Sequence, residues 1–149
     1  MIFDPKGRFF VRKAFYDDLL RDAPEAKGQT LEPVVQLLLV SEAFIVGSRY
    51  PKALGYGPDT QLRFSIRWSG LRSRHLVSRT NFVYDYYPAR ESYDDKVHLE
   101  LTLSIDPSRQ EVIQKTTEAI QQLARAFSYT FTQAIVQKAV NNQLDRVVG

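Results

Sequence analysis

The chemistry most concentrated in this sequence is that of the guanidinium group. The stretch RFSIRWSGLRSRHLVSR, residues 63–79, holds five arginines and no acid. Arg63, Arg67, Arg72, Arg74 and Arg79, with Arg90 a little further on, offer planar forks that meet carboxylates and phosphates through paired hydrogen bonds. Residues 49–90 carry eight bases against two acids, so the remainder of a chain with net charge +3 must sum to −3. That asymmetry predicts an electrostatic face. Tyr84, Tyr86, Tyr87 and Tyr93, around Arg90, add aromatic surface. Such tyrosines can stack bases, anchor a protein interface or simply cover the edge of a core.

Other chemistries are poorly supplied. The chain has no cysteine, which removes disulfides, thiolate metal sites and a cysteine nucleophile together. His75 and His98 are the two histidines, with neither HxH nor HExxH spacing, a poor start for zinc. Ser73 and Ser78 near His75 lack the GxSxG frame of a nucleophile elbow. GYGPDT, residues 55–60, has neither the third glycine nor the lysine of a phosphate loop and reads as a turn. Asp94, Asp95, Lys96 and Glu100 have the carboxylate–lysine composition of a metal-dependent nuclease. The adjacent acids would point to opposite sides of a strand, so this reading is a remote alternative. No cofactor, no metal and no enzymatic activity are expected.

These residues need a scaffold, and 149 residues suffice for one domain with a real core. GRFFVRK reads as a short strand running into a short helix over AFYDDLLRDA, ended by Pro24. Thr30 can cap a helix with Pro33 in its first turn. From Leu31 to Val46 that helix is apolar on nearly every side, which predicts a central position, and Pro51 should kink or end it. TQLRFSIRW, LRSRHLVSR and KVHLELTLSI alternate as strands. Pro107, Ser108 and Glu111 then open a helix with the stripe Val112, Ile113, Thr116, Ala119, Ile120, Leu123 and Phe127. After a break at SYTFT a last helix carries Ile135, Val136, Ala139, Val140, Leu144 and Val147 on one side.

A two-residue turn at Ser69-Gly70 would pair the first two strands and place Arg67 opposite Arg72. Arg63, Arg67, Arg72 and Arg74 would then share one face, with Leu62, Phe64, Ile66, Trp68, Leu71 and Val77 on the other. Arg79 would fall on the apolar side at the sheet's end. Like charges facing across a ladder cost up to about 1 kcal/mol, so the face needs water, a carboxylate or an anionic partner. Glu100 on the third strand, or Asp94 and Asp95, could supply the carboxylate.

The segments GRFFVRKAFYDDLLRD and FIVGSRYPKALGYGPDTQLRFSIRWSGLRSRHL, with the closing amphipathic helix, resemble a bacterial family. They are similar to the C-terminal accessory portion of proteins whose N-terminal half is a Schlafen AlbA-type DNA-binding domain, also described as ATP-binding. WSGLRSRHL is the most telling piece. The resemblance implies an accessory module that positions, senses or oligomerises. Its working residues belong to the half that this sequence lacks, so no functional residue carries over.

The expectation is one α+β accessory or interaction domain over residues 1–149. An antiparallel meander sheet would have the central apolar helix and two C-terminal amphipathic helices on one face. Its function is expected to be non-enzymatic, with the arginine face binding an acidic protein surface or mediating self-association. DNA or RNA on the same face is the alternative. The first residues lack the pattern of a signal peptide, and the longest apolar run falls short of a membrane span. With no cysteine present, a cytoplasmic setting without membrane attachment is expected.

Overall fold

A computed structural model describes residues 2–4, 8–77 and 90–148. The apolar run lies within helix α1, Pro33–Ala53. Pro33 suits the first turn because its missing N–H has no partner to lose there. The cap is Glu32 and not the expected Thr30: its carboxylate accepts from the Val34 amide at 3.2 Å. Thr30 belongs instead to a two-residue strand, β3 (Thr30–Leu31 in full), and its hydroxyl donates to Asp17 at 2.9 Å. Pro51 does not end the helix but sits in its last turn. Only Glu42, Arg49, Lys52 and Ala53 are exposed on α1. A helix covered on nearly every side is a central one.

Before it, β1 (Ile2–Asp4) pairs antiparallel with β2 (Arg8–Phe10). The helix expected over AFYDDLLRDA is only a 3-10 turn at Tyr16–Leu19, followed by another at Pro24–Ala26. A longer helix would carry Asp17 and Asp18 away from the groups they bind. Asp17 accepts from the Glu32 amide at 2.8 Å, and Asp18 from the Gly28 amide at 2.8 Å.

The mixed α+β character holds, but the strand pairing is not the expected meander. β4 (Gln61–Ser69) pairs directly with β6 (Lys96–Ser104), and β5 (His75–Leu76) runs parallel to β3. The Ser69-Gly70 hairpin is absent. Gly70 does adopt a positive φ of 74°, yet it spends it on a bulge. Ser69 opposes Lys96, and the Leu71 amide then donates to the Asp95 carbonyl at 3.1 Å. Two residues thus face one, with glycine in the left-handed position. After a turn closed from the Arg74 amide to the Leu71 carbonyl at 3.0 Å, the chain runs on along the same partner. Ser92 donates to Arg74, and Leu76 to Arg90. The result is one long ribbon of residues 61–77 against 90–104.

Packing decides this register. Opposite β6, Phe64 meets Leu101, Ile66 meets Leu99 and Trp68 meets Val97. The expected hairpin would have set Phe64 and Ile66 against His75 and Ser73. The apolar face of the β4–β6 pair lies on α1 and on α2 (Arg109–Arg125). Phe64 meets Phe44 edge to face at 5.0 Å, the Trp68 indole donates to Gln36 at 3.2 Å, and α2 packs along β6. Gly47 allows the close approach. A Cβ there would lie 2.6 Å from the Phe64 ring and 2.7 Å from Phe9. The predicted α2 stripe, from Val112 to Phe127, is buried throughout. Ser108 caps α2 as expected, but Glu111 reaches the Ser104 amide and hydroxyl, at 2.8 and 2.6 Å. α3 (Gln133–Val148) packs on α1 and α2 through Val136, Ala139 and Val140. Among the described residues, no helix is long and apolar enough to cross a membrane.

Candidate functional site

The β4–β6 pair presents one apolar and one polar face, because side chains alternate along each strand. On the polar face β4 places Arg63, Ser65 and Arg67, and β6 places Lys96, His98, Glu100 and Thr102, all exposed except half-buried Ser104 at the end of the row. Arg67 lies opposite His98, Arg63 opposite Thr102, and Glu100 opposite Ser65, between the two arginines. Ser65 and the His98 ring share a hydrogen bond at 2.8 Å. Neither Arg63 nor Arg67 makes an ion pair with a described carboxylate, and Glu100 is not within bridging distance of either. The expected neutralisation by Glu100 is therefore no closer than diagonal proximity. The face carries three bases and one acid, set on a stiff two-stranded support.

Arg72 does not face Arg67. It is exposed in the turn after the bulge, where Ser73 takes a positive φ of 63°. Across that turn Tyr93 is 82 % exposed. Both are exposed at this turn, an aromatic and a base, residue types favoured at protein interfaces.

Arg74 leaves the expected face altogether. It is 5 % exposed, and four of its five guanidinium N–H groups are bonded. Nη1 and Nη2 grip Asp18 at 2.9 and 2.7 Å, Nη1 also reaches the Thr30 carbonyl at 2.8 Å, and Nε reaches the Gly70 carbonyl at 2.6 Å. The fork lies 4.6 Å over the Phe15 ring. Its hydrogen bond to Asp18, joined by the Gly28 amide, holds that carboxyl below its ordinary range against the opposing pull of burial. Arg74 thus ties the N-terminal segment, β3 and the bulge into one joint. Arg90 is also engaged, donating to the Ser128 carbonyl at the break between α2 and α3. Arg79, Tyr84, Tyr86 and Tyr87 lie outside the described residues.

The joint around Asp17, Asp18 and Glu32 was not foreseen. Two adjacent acids straight after Phe15-Tyr16 were its one signal in the sequence. Asp17 and Glu32 are fully buried, and the bonds given above use them as structural acceptors. No three His, Asp or Glu side chains converge as a metal site would need, among the described residues. Asp94 is exposed and Asp95 half-buried beside the bulge, away from Glu100 along the strand.

Comparison of the chain with protein-family models, with curated proteins and with solved structures returns no match.

Proposed function

We propose that this chain is a non-enzymatic interaction module whose Arg63–Arg67 face, together with Arg72 and Tyr93 at the turn, binds a carboxylate-bearing protein surface. The observation that carries this reading is a pair of exposed, unbridged arginines on one strand. Four residues apart, they are held about 13 Å from each other by the ladder. At that spacing the two exposed charges are largely screened from each other, so the strand holds both forks free for a partner at little cost. Glu100 sits between them, with His98 and Thr102 alongside. This mixed row suits a protein surface of mixed charge better than a phosphate backbone, which an interleaved carboxylate repels. Self-association through the same face is the related form of this reading.

Nucleic acid is the second reading, supported by the excess of bases over residues 49–90 and by the resemblance noted above. One titration separates them. Labelled polyglutamate, single-stranded DNA, RNA and duplex DNA are each titrated at two salt concentrations with the chain and with Arg63→Glu/Arg67→Glu. Light scattering reports mass on the same samples. Polyglutamate binding lost in the variant, with weak DNA and RNA binding, supports the protein reading. Tight DNA or RNA binding whose log–log salt slope falls by about 2 in the variant makes this a nucleic-acid module. Neither ligand binding, with a mass that drops in the variant, makes the face an assembly surface.

A further inference from the structure

The outer edge of β6 is distinct from the arginine face and has its own chemistry. The Ile105 amide donates to the Thr60 carbonyl at 3.1 Å, which sets the phase of the antiparallel ladder. Val97, Leu99, Leu101 and Leu103 therefore turn their main-chain N–H and C=O toward β4. Lys96, His98, Glu100, Thr102 and Ser104 turn theirs outward. The Ser104 amide is taken by Glu111 at 2.8 Å. For the other four, no partner for these groups is present among the described residues. A nine-residue strand with unpaired main chain is a template for another strand. The usual deterrents are sparse on it: no proline, no bulge within Lys96–Ser104 and one lysine. The opposite edge, on β4, carries Arg63 and Arg67.

α2 supplies a floor beside this edge. Thr117, Glu118, Gln121 and Arg125, with Leu99 and Glu100, line an open groove of about 700 Å³. A strand added at the usual spacing of about 4.8 Å would lie in it. A lone extended segment fits this edge without bringing a helix of its own, whereas a second copy paired antiparallel edge to edge would set its α2 on the same side of the sheet.

We propose that the outer edge of β6 is a strand-addition site for one extended peptide with a basic residue followed four positions later by an acidic one. Antiparallel to β6, such a guest sets its base opposite Glu100 and its acid opposite Lys96, with the residue between them opposite His98. These positions share one face because side chains alternate, and opposite charges across a ladder are favourable. The guest side chain opposite Leu99 points into the groove. There half-buried Leu99 favours a β-branched residue such as Val or Thr. Main-chain bonds to the outward groups of His98, Glu100 and Thr102 provide the affinity, and the charged pair sets direction and register.

The probe is a capped, fluorescent peptide with the core Ser-Val-Lys-Val-Thr-Thr-Glu, whose Ser lies opposite Thr102. It is compared with the same peptide N-methylated at Lys and at the first Thr, and with the Lys and Glu exchanged. Amide exchange by NMR is measured on the full chain alone and with peptide. In the free monomer, His98, Glu100 and Thr102 should exchange at least 100-fold faster than Leu99 and Leu101. The parent peptide should slow them, N-methylation should weaken binding at least tenfold, and charge exchange three- to tenfold. Glu100→Pro removes one outward N–H and no bond to β4, so it should abolish binding. The N-methylated peptide keeps the test intact if that variant does not fold. Arg63→Ala/Arg67→Ala should leave this binding unchanged, which separates failure here from failure of the arginine-face reading. The proposal is overturned if the three amides are already protected in the free chain, if the N-methylated peptide binds as well as the parent, or if 1 mM parent peptide leaves them unmoved.

Discussion

Arg67 and Arg74 come from the same short arginine-rich stretch and do opposite things. Arg67 stands exposed on a strand with His98 across from it and no ionic partner among the described residues. Arg74 is buried, every arm of its fork bonded, with Asp18 brought to it from 56 residues away. The difference lies in what the fold delivers to each guanidinium, not in the local sequence. A buried arginine needs a matching carboxylate and carbonyls, because an unpaired charge cannot be tolerated there. An exposed one needs only water, and so remains available to a partner. The two regions therefore predict separable consequences: loss of stability at one, loss of binding at the other.

The sharpest break of that contrast is Arg74→Ala. Removing Arg74 takes away its hydrogen bonds to Asp18 and to the Thr30 and Gly70 carbonyls. Asp18 is only half-buried and keeps the Gly28 amide, so the cost should be about 2–3 kcal/mol, below that of breaking a fully buried pair. Thermal or urea unfolding should show a large loss of stability. Asp18→Asn should add little on an Arg74→Met background, since the two residues act as one unit. If Arg74→Ala unfolds no more easily than Arg67→Ala, the joint is not the structural tie described here.

How much of this was legible in the sequence follows the same division. The polar and apolar faces of β4 and β6, and the α2 stripe from Val112 to Phe127, could be read because periodicity is a local property. Glu100 was likewise placed on the polar side. The fate of Arg74 was not legible, since its partner lies across a long loop and nothing near Arg74 names it. The Ser69-Gly70 turn misled for a related reason. A glycine that accepts positive φ fits a hairpin turn and a bulge equally well. Only the better apolar match of β4 with β6, Phe64 on Leu101 in place of His75, decides between them. Thr30 as cap failed because Asp17 claims its hydroxyl.

Next in size is Gly47→Ala, a core change that spares both arginine regions. The added methyl would fall 2.6–2.7 Å from the Phe64 and Phe9 rings. Overpacking of that kind costs about 1–3 kcal/mol. Chemical unfolding should find a reduced midpoint with an unchanged denaturant slope, and binding by the polar face should survive below the new melting temperature.

Acid should weaken the joint. Asp18 is held below its ordinary value of 3.8 by Arg74, and Glu111 below 4.5 by the Ser104 hydroxyl and amide. Both groups therefore bind protons more readily in the unfolded chain. Their stabilisation is fully present above these ordinary values and is lost as pH falls through the lower, folded ones. Melting temperatures measured from pH 6 down to 3 should fall on the acid side. Asp18→Asn and Glu111→Gln should each flatten the slope, and a slope unchanged in both variants would contradict these assignments.

A smaller effect of opposite sign is expected in the turn after the bulge. Ser73 holds a φ of 63°, a region that costs an L-residue about 1 kcal/mol and glycine almost nothing. Ser73→Gly should therefore leave the fold unchanged. Its gain should be at most about 1 kcal/mol, reduced by the greater freedom of glycine in the unfolded chain.

The smallest stability effect is reserved for the residues of greatest functional interest. Arg63→Ala and Arg67→Ala remove exposed side chains without ion-pair partners among the described residues, so each should change stability by no more than about 0.5 kcal/mol. The same variants should sharply reduce binding of an acidic partner, by 10-fold or more for the pair, since charge-assisted bonds to a carboxylate contribute about 1.5–3 kcal/mol each. If either variant instead destabilises the chain by 2 kcal/mol or more with no change in binding, Arg63 and Arg67 belong to the structure, as Arg74 does. The polar face would then be a solvated surface, and the contrast between the two arginine regions would disappear.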